Sequence, residues 1–237
     1  MQFQHLHSAF IDSHNDFVLN TPHGSADALQ PIGYYRLVAP QLPTTLRRLW
    51  LTNAHGPDAR LIQSVCSQCP GLQELWIERC TLFSPRMVSL EVGNGEHGCD
   101  FWDRFPNDHD AYFAAVGVED YARSLASELA PLLDLKQLHM GLYLTPFEAL
   151  QAHQIHHQES RIHGALWGPT CRICADEFEG VTREAEQRAT VALALSLPTL
   201  QQVSWASYYT VNKAGRSVYT VVREQEVTCE YQGNEPV

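Results

Sequence analysis

An α/β solenoid, with a largely parallel sheet and helices along its outer side, is the fold this sequence predicts, and three observations predict it. A leucine pattern recurs along the chain, each clear copy follows a stretch with helical periodicity, and a β-rich run after a turn signal closes the series.

The pattern is clearest from Cys69 to Cys80, where CPGLQELWIERC fits L-x-x-L-x-L-x-x-C with Leu72, Leu75 and Ile77 at its apolar positions. Leu46, Leu49 and Leu51 repeat that core 26 residues earlier, inside the leucine-rich-repeat period of about 20–29 residues. Leu135-Lys-Gln-Leu138-His-Met140 and Leu200-Gln-Gln-Val203-Ser-Trp205 are two further copies, and Phe3-Gln-His-Leu6-His-Ser8 is a weaker one at the start.

Helices are expected between the copies. Leu61, Ile62, Val65, Cys66 and Cys69 form one stripe, and Pro57-Asp58 suits its first turn. Tyr121, Leu125, Leu129 and Leu132 or Leu133 form a second, ending near Pro131; Ala185, Ala189, Ala192, Leu193 and Leu197 form a third, stopped by Pro198. One strand-plus-helix unit cannot bury both its apolar faces alone, whereas stacked neighbours can.

The leucine spacings of 26, 63 and 65 residues predict two insertions, about 81–118 and 143–182. The first is aromatic, with Phe101, Trp102 and Phe105, and should pack down on the solenoid. The second carries four of the twelve histidines together with Cys171 and Cys174. After the last copy, Asn212-Lys-Ala-Gly215 and Ser217-Val-Tyr-Thr-Val-Val222 predict a capping hairpin over about 207–224, which would cover the open end of the sheet. No low-complexity linker interrupts the chain, so residues 1–237 read as one leucine-rich-repeat domain, a short irregular horseshoe.

Composition narrows the function classes. With 16 Lys+Arg against 27 Asp+Glu the net charge is −11, so the attraction to phosphate backbones or anionic lipid is missing and nucleic acid is not an expected partner. No apolar run reaches the roughly 18 residues of a membrane span. The N-terminus, MQFQHLHSAFIDSHND, does not read as a secretory signal, which predicts an intracellular site, cytoplasm or nucleus. The cysteines are seven, an odd number; four of them (Cys66, Cys69, Cys80, Cys229) lie in or beside apolar periodic segments, as expected of reduced, buried thiols.

At CPGLQELWIERC the chain resembles the cysteine-type leucine-rich repeat of F-box substrate receptors, and its insertion-rich layout is similar to fungal F-box/leucine-rich-repeat proteins. The resemblance covers most of residues 42–210. It implies a non-enzymatic scaffold whose repeats select a protein for ubiquitylation. It also implies docking onto a Skp adaptor and cullin through an F-box. No stretch before Leu42 reads as that three-helix module with its Leu-Pro opening, so the docking would require an F-box upstream.

Three constellations of polar residues bear on chemistry. Ile11-Asp12-Ser13-His14-Asn15-Asp16 is similar to the opening of membrane dipeptidases, and His14-x-Asp16 at a strand end would let both side chains share a metal. This is the alternative function, a zinc-dependent hydrolase. A barrel of that kind needs about 250 residues with ligands on later strands, and the leucine pattern occupies the downstream chain instead; no catalytic residue is assigned. His153 and His157 lie four apart on an expected helix, and Cys171-x-x-Cys174 has the gap that lets two thiolates bind one ion. A structural zinc on His153, His157, Cys171 and Cys174 is therefore the one cofactor expectation, the competing reading being a solvated helix beside two ordinary cysteines. Asp108-His109-Asp110 reads as a solvated turn.

The expected working surface is the concave face. Alternation along each strand sends Leu49, Leu51, Leu75, Ile77, Leu138 and Val203 inward, with Trp205 packed among them. It sends Arg48, Trp50 and Thr52, then Glu74, Trp76 and Glu78, then Gln137, His139 and Gly141, then Gln202, Ser204 and Ala206 to the concave side. Arg48, Trp50, Glu74, Trp76, Glu78 and His139 are the candidate binding residues for a protein partner, because Trp and Arg dominate interface hot spots. The competing expectation is that a folded-back insertion covers the two tryptophans as extended core.

Overall fold

A computed structural model describes residues 5–12, 38–54, 59–79, 117–142, 144, 172–207 and 215–236. Seven strands form one sheet in chain order: β1 (Ser8–Asp12), β2 (Arg48–Ala54), β3 (Glu74–Arg79), β4 (Gln137–Met140), β5 (Gln202–Ala206), β6 (Gly215–Arg223) and β7 (Val227–Pro236). The first five are parallel, and β6 and β7 continue the sheet antiparallel. Among the described residues three helices accompany them, α1 (Ala59–Gln68), α2 (Val118–Leu129) and α3 (Arg172–Ser196), with a short 3-10 turn at Ala39–Gln41. Neighbouring helices pack in the same order as the strands, α1 on α2 and α2 on α3.

The parallel units superimpose their sequence positions. Arg48, Glu74, Gln137 and Gln202 pair across the sheet, as do Leu49, Leu75, Leu138 and Val203. The carbonyls of His7, Arg47, Gln73 and Lys136 each accept two successive amides of the next unit, at 2.7–3.1 Å. A tight turn recurs just before each of β2, β3, β4 and β5, with the amides of Leu46, Leu72, Leu135 and Leu200 donating to the carbonyls of Pro43, Cys69, Leu132 and Leu197. Thr45 and Thr199, each just before a unit's leucine, donate to the carbonyls of Leu6 and Leu135 one unit back, both at 2.9 Å.

This register corrects the first copy. Ser8 pairs with Arg48 and Phe10 with Trp50, so the unit is Leu6-His-Ser8-Ala9-Phe10-Ile11, three residues later than Phe3 to Ser8. Ala9 stands where the other units have Leu or Val, which is why the copy was hard to frame.

The inward side of the sheet and the helix stripes share one core. Leu49, Leu51, Leu75, Ile77 and Val203 are fully buried and Leu138 is 2% exposed, while all three expected helix stripes contribute to the same cluster. Leu133 departs from expectation at 75% exposed. It occupies the turn place held by Thr44, Pro70 and Pro198 in the other units, where a side chain points to solvent. Trp205 is buried and its Nε1 donates to Thr190 Oγ1 on α3 at 3.0 Å.

Two boundaries differ from the sequence reading. Helix α3 begins at Arg172, so the stretch 172–182 is helix rather than insertion. The terminal hairpin is β6 with β7, beyond the expected 207–224. The alternation Val227, Cys229, Tyr231 is the signal that places the missing strand. One extra residue, Gln232, opens a bulge where Val218 pairs with Gly233 and Tyr219 with Tyr231; Gly233 takes φ 126° there, which a side chain would resist.

The hairpin is pinned to α3 at both ends. Arg223 donates to the carbonyls of Ala194, Leu197 and Leu200 at 2.9–3.1 Å, satisfying the helix end. Buried Glu186 accepts from Tyr219 Oη at 2.8 Å and Ser217 Oγ at 3.2 Å. Burial pushes the Glu186 carboxyl up to about 7, although both hydrogen bonds and Arg183 pull it down. Among the described residues no helix is long and apolar enough to cross a membrane.

Candidate functional site

On the face turned away from the helices, one row of residues crosses the sheet. Phe10, Trp50, Trp76, His139, Ser204 and Val218 pair in succession from β1 to β6. Parallel strands lie about 4.8 Å apart, so identical positions bring rings into contact. The Trp50 and Trp76 rings stack at 4.6 Å and 21°. Phe10 tilts against Trp50 at 6.2 Å, and the His139 ring lies 4.7 Å from Trp76.

Polar groups fix the row. Glu74 accepts from Trp50 Nε1 at 2.7 Å through one oxygen and lies 3.5 Å from Arg48 Nε through the other. Trp50 is thereby held upright between its neighbours, while Arg48 stays two-thirds exposed. Ser204 Oγ and His139 Nδ1 are 2.8 Å apart. A hydroxyl beside an imidazole is the geometry of a general-base pair, but here burial, aided by the charge of Arg216, holds His139 down to about 3. An imidazole so depressed is a poor proton acceptor near neutrality.

Exposure grades along the row. Phe10 is 63% exposed, Trp50 is half-buried, Trp76 is 9% exposed and His139 is 2% exposed. This corrects the picture of two equivalent surface tryptophans: Trp76 is covered. Arg216, from β6, places its guanidinium 4.3 Å from the Trp76 ring centre and pairs with Glu235 at 2.6 Å. Glu74 and Glu78 are half-buried, and Gln137 is exposed.

Comparison with family models, with curated proteins and with solved structures finds no match for this chain. The site therefore rests on its own geometry. The strands bring together Arg48, Trp50, Glu74, Trp76 and His139, all at the positions the leucine pattern specifies, with Glu78 farther along β3. Phe10 and Arg216 were missed. Phe10 was findable, since it follows Leu6 by the same interval as Trp50 follows Leu46; Arg216 reaches Trp76 across intervening strands and has no local signature.

The expected zinc ligands His153, His157 and Cys171 lie outside the described residues, as does the side chain of Cys174, whose backbone is in the first turn of α3. His14 and Asp16 lie outside them as well. Among the described residues no cluster of three or more His, Cys, Asp or Glu is placed to hold a metal.

Proposed function

We propose that this chain is a leucine-rich-repeat solenoid that recognises a protein partner on its open sheet face, as the substrate-receptor part of an F-box-type ubiquitin ligase. The observation carrying this reading is the in-register aromatic row, which ends in half-buried Trp50 and exposed Phe10. Aromatic side chains standing on a rigid sheet lose little conformational entropy on binding and supply large contact areas, the character of interface hot spots. Arg48, beside Trp50 and oriented by Glu74, adds a charged donor at the rim. Trp76 and His139 act beneath the contact surface, holding Trp50 in place.

The test is partner capture with quantified Skp and cullin subunits, using wild type and Trp50→Ala. Trp50→Ala should weaken capture by about thirtyfold, the equivalent of a 2 kcal/mol hot spot, with the melting temperature nearly unchanged. A stable Trp50→Ala variant that captures the same partner equally well overturns the assignment of this face.

A further inference from the structure

One arginine of this chain lies on its own open face as a ligand would. Arg216 belongs to β6, yet its guanidinium rests 4.3 Å from the centre of the Trp76 ring on β3 and pairs with Glu235 at 2.6 Å. Strands β5 and β4 lie between. At the level of Arg216 they present Ala206, its partner in the ladder, and then Gly141, just past the end of β4. Both are too small to block the way across the sheet. The place so formed offers an aromatic face and a carboxylate, the two groups that together suit a guanidinium.

Arg216 fills this place imperfectly. Its Nε is buried and donates to no acceptor among the described residues, an uncompensated desolvation that weakens its hold. Glu235 is half exposed, so an incoming group can reach it. Glu74 and Glu78 stand on the same face along β3, and the whole chain carries 27 Asp+Glu against 16 Lys+Arg, a net −11 that attracts cationic partners.

On the reading that the open face receives a protein, we infer that the partner is a basic segment and that one of its arginines takes the place of Arg216, lying over Trp76 with its guanidinium on Glu235. Arg216 is then an internal competitor, displaced into solvent as the partner docks.

The test titrates the full chain with the peptide Ac-Gly-Gly-Arg-Gly-Gly-NH2 and with its lysine counterpart, followed by NMR at the Trp76 indole signal. In wild type the arginine peptide should move that signal and the lysine peptide should bind about tenfold more weakly, because the planar guanidinium both stacks on the ring and grips a carboxylate. Arg216→Ala empties the place and should bind the arginine peptide about tenfold more tightly than wild type. Arg123→Ala removes the same charge from the exposed face of α2 and should bind as wild type does. Adding Glu235→Gln to Arg216→Ala should abolish the gain. Equal binding of the two peptides overturns the proposal, and this arm decides the matter by itself where Arg216→Ala fails to fold. So does a gain that Arg123→Ala shares, which would be net charge alone, or a double variant that keeps the gain. Because the peptides read only the Trp76 place, a negative result removes the arginine and leaves the Trp50→Ala capture assay to decide the face itself.

Discussion

The guanidinium of Arg216 lies 4.3 Å from the centre of the Trp76 ring, although the two residues belong to strands β6 and β3. That contact joins the terminal hairpin to the middle of the aromatic row. It shields Trp76, and its charge helps to keep His139 neutral. Arg216→Met separates these effects, since the methionine retains much of the cover and none of the charge. The expected outcome is a His139 imidazole that titrates at higher pH by NMR, with a melting temperature within a few degrees of wild type.

Trp76→Ala and Trp50→Ala should part company in stability. Trp76 is nearly buried, so its truncation should cost about 3–5 kcal/mol, as for a large core deletion. Trp50→Ala should cost much less. Urea denaturation of both variants checks this, and equal losses would contradict the exposure gradient along the row.

Leu75→Ala should destabilise by about 2–5 kcal/mol, because Leu75 is fully buried at the centre of the parallel units and pairs with Leu49 and Leu138. A loss below about 0.5 kcal/mol in denaturant titration, the size typical of surface substitutions, would show that the inward register is wrong.

Two buried groups set opposing pH dependences. Glu186 is raised from the usual 4.5 to about 7, so the folded state holds more protons there and its contribution, full below 4.5, is lost as pH rises through 7. His139 is lowered from 6.5 to about 3, so its contribution is full above 6.5 and is lost as pH falls toward 3. Between 4.5 and 6.5 the two slopes oppose each other. Glu186→Gln should leave stability rising with pH across that window, whereas His139→Gln should leave it falling. Melting temperatures from pH 4.5 to 7 for the two variants give the signs directly.

The thiols of Cys66, Cys69 and Cys229 should resist alkylation in the native protein. Burial pushes them up to about 12, 11 and 11, which leaves almost no thiolate at neutral pH. Mass-spectrometric mapping after brief iodoacetamide treatment should find these three unmodified until denaturant is added.

Much of the sheet was legible without coordinates, because a period-two strand with one buried face admits only one register. Leu46, Leu72, Leu135 and Leu200 place four strands to the residue, and the faces of Leu75 and Trp76 follow from alternation alone. The helices were legible for the same reason, through stripes at helical spacing. Strand β1 was misframed because Ala9 and Ile11 weaken the pattern, and β7 was overlooked although its alternation was visible.

What the sequence alone determined about this protein is therefore local and periodic: which residues form each unit, which face they turn inward, and that Trp50 and Trp76 share a row. Only the tertiary structure decided that Arg216 covers Trp76, that Glu186 is sealed between α3 and the hairpin with Tyr219 and Ser217 as donors, and that the row runs out to an exposed Phe10. The physical reason is range. Periodicity is written by neighbours a few residues apart, whereas cover, desolvation and edge exposure come from groups that are distant in the chain and adjacent only after the strands have stacked.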